Sequence, residues 1–149
     1  MHKLGMNSSD TTEVVFDNVI VPKDNLLGEE GAGFIDTMKV LDGGRIGIAS
    51  LSVGIARGAL EESLRYSVER KQFGSPIGNF QYMEGKLVDM ATEIDAARLL
   101  VWRAAYMKDQ GKPYTKEASM AKLFTSELSV RSALEAVQIH GGYGYTKEY

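Results

Sequence analysis

From Phe80 to Ala104 the apolar positions fall at 80, 83, 87, 90, 94, 97, 101 and 104. The steps alternate three and four without a break. A 3.5-residue repeat is the pattern of a helix packed nearly antiparallel to its neighbours in a bundle. It predicts a helix over about 80–110. The sequence QGKP at 110–113 then makes a turn. Thr115 is placed to cap a following helix, with Glu117 in its first turn, where the helix dipole favours an acid. That helix runs to about Gln138 and is stopped by Gly141 and Gly142.

Residues 34–70 also read as helix, but they are rich in glycine. On a helical wheel Gly43, Gly47, Ser50, Gly54 and Gly58 lie within roughly 80° of one another, as one stripe. Each helical glycine costs ~1 kcal/mol relative to alanine. The stripe therefore points to something close to the backbone, and a neighbouring helix or a ligand along the groove both fit. The sequence RKQFGSPIGNF at 70–80 breaks the pattern and reads as a loop.

The first 28 residues are different. TTEVVFDNVIVP alternates, is rich in β-branched residues and ends at Pro22. It predicts one strand or two short ones, with a turn at Asp17-Asn18. DNLLGEEGAG is a glycine-rich loop. The expected organisation is the end of a β region over 1–28 and a helical domain over 29–149. Bundles of this type close with four helices, and three are legible here.

Composition narrows the chemistry. The 149 residues suffice for one globular domain with a core of its own. A net charge of −3 gives no electrostatic case for nucleic acid or an anionic membrane surface. There are no cysteines, so disulfides, thiolate metal sites and a cysteine nucleophile are excluded. No apolar run approaches the ~20 residues of a membrane span. The two histidines, His2 and His140, lack the Glu-x-x-His spacing of a di-iron bundle, so no metal site is expected. No serine signature accompanies His140, which argues against a hydrolytic triad. GEEGAG matches neither a dinucleotide fingerprint nor a Walker loop and reads as a flexible connection.

Three segments remain. Arg70, Gln72 and Phe73 put a planar cation, an amide and an aromatic in one stretch, which suits an anionic aromatic ligand; a solvated charged loop also fits. HGGYG at 140–144 sits at a helix C-terminus, where the dipole disfavours phosphate, so its glycines suit backbone approaching a ligand edge-on. Asp42 and Arg45 are three apart on one helix face, which alone suggests a surface ion pair.

Taken together, TTEVVFDNVIVPKDNLLGEEGAGF, LDGGRIGIAS, ERKQFGSPIGNFQ and QIHGGYGYTKEY resemble the acyl-CoA dehydrogenase family, its short-chain (butyryl-CoA) branch in particular. The resemblance covers essentially the whole chain. It implies a mainly α fold: three of the four helices of the family's C-terminal up-and-down bundle, preceded by the last strand or strands of its middle β domain. It implies FAD as cofactor, an acyl-CoA as substrate, α,β-dehydrogenation to a trans-2-enoyl-CoA, and an electron-transferring flavoprotein as electron acceptor. It also implies a homo-oligomer, a dimer or tetramer, in a bacterial cytoplasm or a mitochondrial matrix.

Residue by residue, Arg70, Gln72, Phe73, Phe80 and Gln81 match a stretch that contacts the FAD of a neighbouring subunit. Gln138, Ile139, His140, Gly141 and Gly142 match the segment along a partner's FAD diphosphate and ribose. Asp42, Gly43, Gly44 and Arg45 match the stretch that contacts the pantetheine arm. The resemblance supplies no catalytic base. In most of the family it is a glutamate downstream of the segment matching 138–149; in a minority branch it sits where this chain has Gly44. Glu148 matches a non-catalytic position. The 149-residue chain by itself is therefore expected to be inactive. Its alternative role is a non-catalytic helical module for assembly or docking.

Overall fold

The computed structural model describes all 149 residues. By packing they form two units, Met1–Phe34 and Ile35–Tyr149.

The first unit contains no paired strand. Its only regular element is a 3-10 turn at Lys23–Asn25. This differs from the strand expected over 11–22. The alternating pairs Val14/Phe16 and Val19/Val21 are present, but these side chains are exposed and no adjacent strand supplies ladder hydrogen bonds. A strand's backbone groups need that partner, so the segment stays extended without becoming a sheet. The turn at Asp17-Asn18 does form: Asn18 has φ 52° and its amide donates to Asp17 Oδ1 at 3.0 Å.

Three helices dominate the rest: α1 (Gly33–Glu69), α2 (Gln81–Asp109) and α3 (Thr115–His140). Their directions follow from which side chains meet. Lys86 pairs with Glu135, Glu93 with Arg131 and Arg103 with Glu117, so α2 and α3 are antiparallel. Asp42 meets Thr115 and Tyr66 stacks on His140, so α1 and α3 run the same way. The arrangement is up-down-up, as the 3.5-residue repeat predicts. The predicted row on α2 is its inner face: Met90, Ile94, Ala97, Val101 and Ala104 are buried, and Phe80, Met83 and Leu87 pack partly buried at one end.

The core is built largely from small residues. Ala49, Ala56, Ala97, Ala104, Ala118 and Ala121 are fully buried. Leu128 is the largest fully buried side chain, packed among Ala56, Ile94 and Ala97. Serines share the interior because a helical serine can satisfy its own hydroxyl. Ser52 donates to Ile48 O at 3.0 Å and Ser63 to Ala59 O at 2.7 Å. Ser132 Oγ is buried without a partner.

Three further expectations meet a different structure. Most of the glycine stripe of α1 is not approached by another helix of this chain: an added Cβ at Gly47, Gly54 or Gly58 meets nothing within 4 Å, and only at Gly43 does one meet α2, 3.3 Å from Lys108 Nζ. The packed face of α1 carries Ala49, Ser52, Ala56 and Ser63 instead, on the opposite side of the wheel. Thr115 is not the cap of α3. Tyr114 takes that place without a side-chain bond, and the Thr115 hydroxyl donates to Asp42 Oδ2 at 2.5 Å. The loop at 70–80 also contains order that the glycines and proline concealed, a short hairpin of β1 (Lys71–Gln72) and β2 (Ser75–Pro76). Its two central residues, Phe73 and Gly74, have φ 52° and 81°. Positive φ at both is the type I′ turn of a two-residue hairpin, which is unfavourable for phenylalanine.

Outside the core, α2 and α3 each carry a second apolar row. Val88, Leu99, Trp102 and Tyr106 on α2 and Leu123, Val130, Leu134 and Val137 on α3 are exposed. At 100° per residue each set falls on one face opposite the core row, so each helix has two apolar sides rather than one.

Candidate functional site

Two segments far apart in sequence converge at the end of the bundle. Arg70 caps α1: its N–H donates to Tyr66 O at 2.8 Å, and its carbonyl accepts from Ile77 N at 2.8 Å across the hairpin base. Opposite, α3 ends at His140, and Gly141 turns the chain with φ 60°. A 3-10 turn, Gly141–Tyr145, follows. Between them lies an open groove of about 520 Å³ lined by Tyr66, Arg70, Gln72, Ile77, Ile139, His140, Gly141, Gly142, Tyr143 and Thr146.

The floor is aromatic. Tyr66 and His140 stack with centroids 4.3 Å apart, and Tyr149 meets Tyr66 edge-on at 5.8 Å. His140 Nδ1 lies 2.7 Å from Ala136 O, so Nδ1 carries a proton and donates. Burial raises the Tyr66 phenol pKa, and the Arg70 charge opposes it. The rim is cationic. The Arg70 guanidinium lies 5.4 Å from the Tyr143 ring centroid and forms no side-chain hydrogen bond or ion pair. An uncompensated guanidinium over a glycine-lined turn is suited to an anion with oxygen acceptors.

The structure thus joins six of the ten residues expected at the cofactor: Arg70, Gln72, Ile139, His140, Gly141 and Gly142. The remaining four stand apart from this groove. Phe73 is 96% exposed at the hairpin tip, with Phe80 edge-on at 6.3 Å. Gln81 lines a separate groove between α2 and α3, and Gln138 is exposed. The groove also contains residues the sequence reading passed over. Tyr66 lies four before Arg70, on the same face of α1, and that spacing was a usable signal. Tyr143 is the aromatic inside GGYGY; only the fold shows that it meets Arg70.

Asp42 and Arg45 form the i,i+3 ion pair that their spacing suggests, and Asp42 also accepts from Thr115. Gly43 is constrained, since an added Cβ would lie 3.3 Å from Lys108 Nζ. Gly44 is exposed and has open space around it. This cluster is about 40 Å along α1 from the Arg70 groove, at 1.5 Å per residue. No group of three or more His, Cys, Asp or Glu side chains converges to hold a metal ion. No helix is long and apolar enough to cross a membrane.

Residues 31–149 match the family profile described as acyl-CoA dehydrogenase, C-terminal domain. The chain is 54% identical over 147 residues to the probable acyl-CoA dehydrogenase YngJ of Bacillus subtilis, covering 99% of this chain and 39% of that protein. It is 51% identical over 148 residues to the caffeyl-CoA reductase-Etf complex subunit CarC of Acetobacterium woodii, covering 99% and 39%. Among solved structures, butyryl-CoA dehydrogenase from Megasphaera elsdenii superposes with a TM-score of 0.89 at 52% identity, over 91% of this chain and 35% of that one. The chain therefore spans about two-fifths of the length of these relatives.

Proposed function

The chain belongs to the acyl-CoA dehydrogenase family as its C-terminal helical domain, and from that premise we propose that it supplies the cofactor-gripping, substrate-contacting and assembly surfaces of an FAD-dependent enzyme acting on short-chain acyl-CoA. The observation that carries this reading is the convergence of Arg70 with Gly141, Gly142 and His140 in one groove, where no carboxylate answers the arginine. These residues fit a diphosphate, because the full guanidinium charge of Arg70 offsets the unfavourable dipole at the end of α3. Arg70 offers five N–H donors in a fixed fork, and the glycines leave the backbone approachable. Gln72, whose amide now donates to Lys71 O at 2.7 Å, offers an exchangeable donor at the rim. Phe73, Phe80, Gln81 and Gln138 stand outside this groove and would meet other parts of the cofactor.

When bound, FAD supplies the two-electron acceptor for the acyl chain. This chain's contribution is placement. Asp42 and Arg45, flanked by Gly43 and Gly44, hold the pantetheine arm. Their separation of about 40 Å from the Arg70 groove supports two different sites served by one chain. A neighbouring copy's flavin occupies the groove, while Asp42 and Arg45 serve another thioester. This makes the enzyme a homo-oligomer, and the exposed second rows on α2 and α3 supply the apolar surface for it. Residues 1–28 belong to the preceding β domain, where the strand-like segment finds its partner. Gly44 has no side chain to take a proton, so this position does not supply the base that removes the α-proton.

The relatives support the substrate class and the redox partner. One relative's name makes it a CoA-thioester reductase in a complex with Etf. An electron-transferring flavoprotein is thus the proposed partner, and the working direction is either formation or reduction of the 2,3-double bond. A bacterial cytoplasm or a mitochondrial matrix suits both.

The two sites are separable. In the protein expressed from its uninterrupted reading frame, Arg70→Ala is expected to weaken FAD binding about tenfold or more, the scale of a lost charge-assisted contact. Its KM for butyryl-CoA at saturating FAD should stay unchanged. Arg45→Ala is expected to raise that KM and leave FAD affinity alone. Unaltered FAD affinity in Arg70→Ala would remove the basis of the assignment.

A further inference from the structure

We propose that Tyr143 is a positioning residue for Arg70: its ring fixes the guanidinium at the mouth of the groove while leaving its charge and donors available to an anion. This rests on the reading of the groove as a flavin diphosphate site.

The sequence contains seven arginines. Six of them pair with a carboxylate on α1, α2 or α3. Arg70 alone does not, and the side chain that answers it is the face of Tyr143 at 5.4 Å. The difference has a chemical consequence. A carboxylate takes two of the five guanidinium donors and cancels the charge; an aromatic face attracts the cation through its quadrupole and consumes neither. An arginine held this way is oriented before the ligand arrives and still carries its full charge, so less ordering remains to oppose binding.

The turn is built to hold the ring in place. The Tyr143 carbonyl accepts from both the backbone N and the Oγ1 of Thr146, each at 3.0 Å. Gly144 presses against the end of α3, where a Cβ would lie 2.5 Å from Val137 O. The ring itself rests on Tyr149 at 5.3 Å. Arg70 is fixed from the other side by its place at the C-terminus of α1, where the dipole favours a cation.

The test is a double-mutant cycle read as the FAD dissociation constant at fixed salt, in protein from the uninterrupted reading frame. Tyr143→Leu is expected to weaken FAD about three- to tenfold, the size of a partly desolvated cation–π contact. Tyr143→Phe, which keeps the ring, is expected to bind as the parent does. In an Arg70→Ala background Tyr143→Leu should have no further effect. Tyr143→Met provides a second ring-less variant should the leucine form fold poorly. If Arg70→Ala weakens binding and neither ring-less variant does, the inference is wrong and the groove reading stands. Equal loss in Tyr143→Phe and Tyr143→Leu also overturns it, because the hydroxyl would then be the operative group. If Arg70→Ala itself binds FAD normally, the groove reading falls and takes the inference with it.

Discussion

Gly144→Ala is the smallest change that should disturb both the fold and the groove. Its added Cβ would lie 2.5 Å from Val137 O, 3.1 Å from Val137 C and 3.1 Å from His140 Cβ. Two of these are backbone atoms inside α3, so no flexible side chain can yield. The turn must lift by close to an ångström. Overpacking of this kind typically costs about 1–3 kcal/mol. Lifting the turn instead gives up the Tyr149 contacts with Tyr66 and His140, at about 0.5–1.5 kcal/mol for each aromatic pair. Either route predicts a loss of about 1–3 kcal/mol, and the second also frees Arg70 from Tyr143. Gly142→Ala is the control. Its Cβ meets nothing within 4 Å and its φ is not positive, so it should change stability by no more than about 0.5–1 kcal/mol in either direction. Urea titration followed by circular dichroism measures both midpoints. The reasoning is refuted if Gly144→Ala keeps the parent midpoint, or if Gly142→Ala costs as much.

Leu128→Ala should cost about 2–5 kcal/mol in the same titration, toward the upper end because its neighbours Ala56, Ala97 and Ile94 sit on packed helices that cannot collapse into the space. Ser132→Ala should be neutral or stabilising by about 1 kcal/mol, since it removes a buried hydroxyl without a partner; a clear loss would reveal a bond that Ser132 makes. Lys86 has its pKa raised above the ordinary 10.5, chiefly by the hydrogen bond to Glu135, with burial opposing. A raised pKa means that the folded state holds the proton more tightly, so the pair's stabilisation is fully present below pH 10.5 and is lost as pH rises through the folded value. The stability difference between the parent and Glu135→Gln should therefore be constant from pH 8 to 10 and shrink in stronger alkali; a gap that widens there would contradict the assignment.

The sequence was most informative where one periodicity had one cause. The row from Phe80 to Ala104 is legible because every third or fourth residue faces the same core. The glycine stripe is less informative for the converse reason: periodicity reports a special face but not what lies against it. In this chain that face is open except at Gly43, beside Lys108. Thr115 looked like a cap because capping is a local rule; the competing acceptor, Asp42, lies on α1 and is invisible to local reasoning. The strand at 11–22 has the right alternation, yet a ladder requires a second strand, and residue pattern cannot supply one. At the site, Arg70 and the segment 138–142 were each recognisable by resemblance. Their convergence, and the parts played by Tyr66 and Tyr143, depend on α1 and α3 running the same way, which only the packing of the bundle determines.

The central claim is that these residues serve a flavin-dependent acyl-CoA dehydrogenase. It is tested most directly by purifying the protein from its uninterrupted reading frame, without added flavin, and titrating it anaerobically with butyryl-CoA while recording the visible spectrum. The account predicts a yellow protein whose flavin band bleaches on addition of the thioester. A colourless protein, or a yellow one unchanged by any acyl-CoA, would contradict it and leave the chain as a helical assembly module.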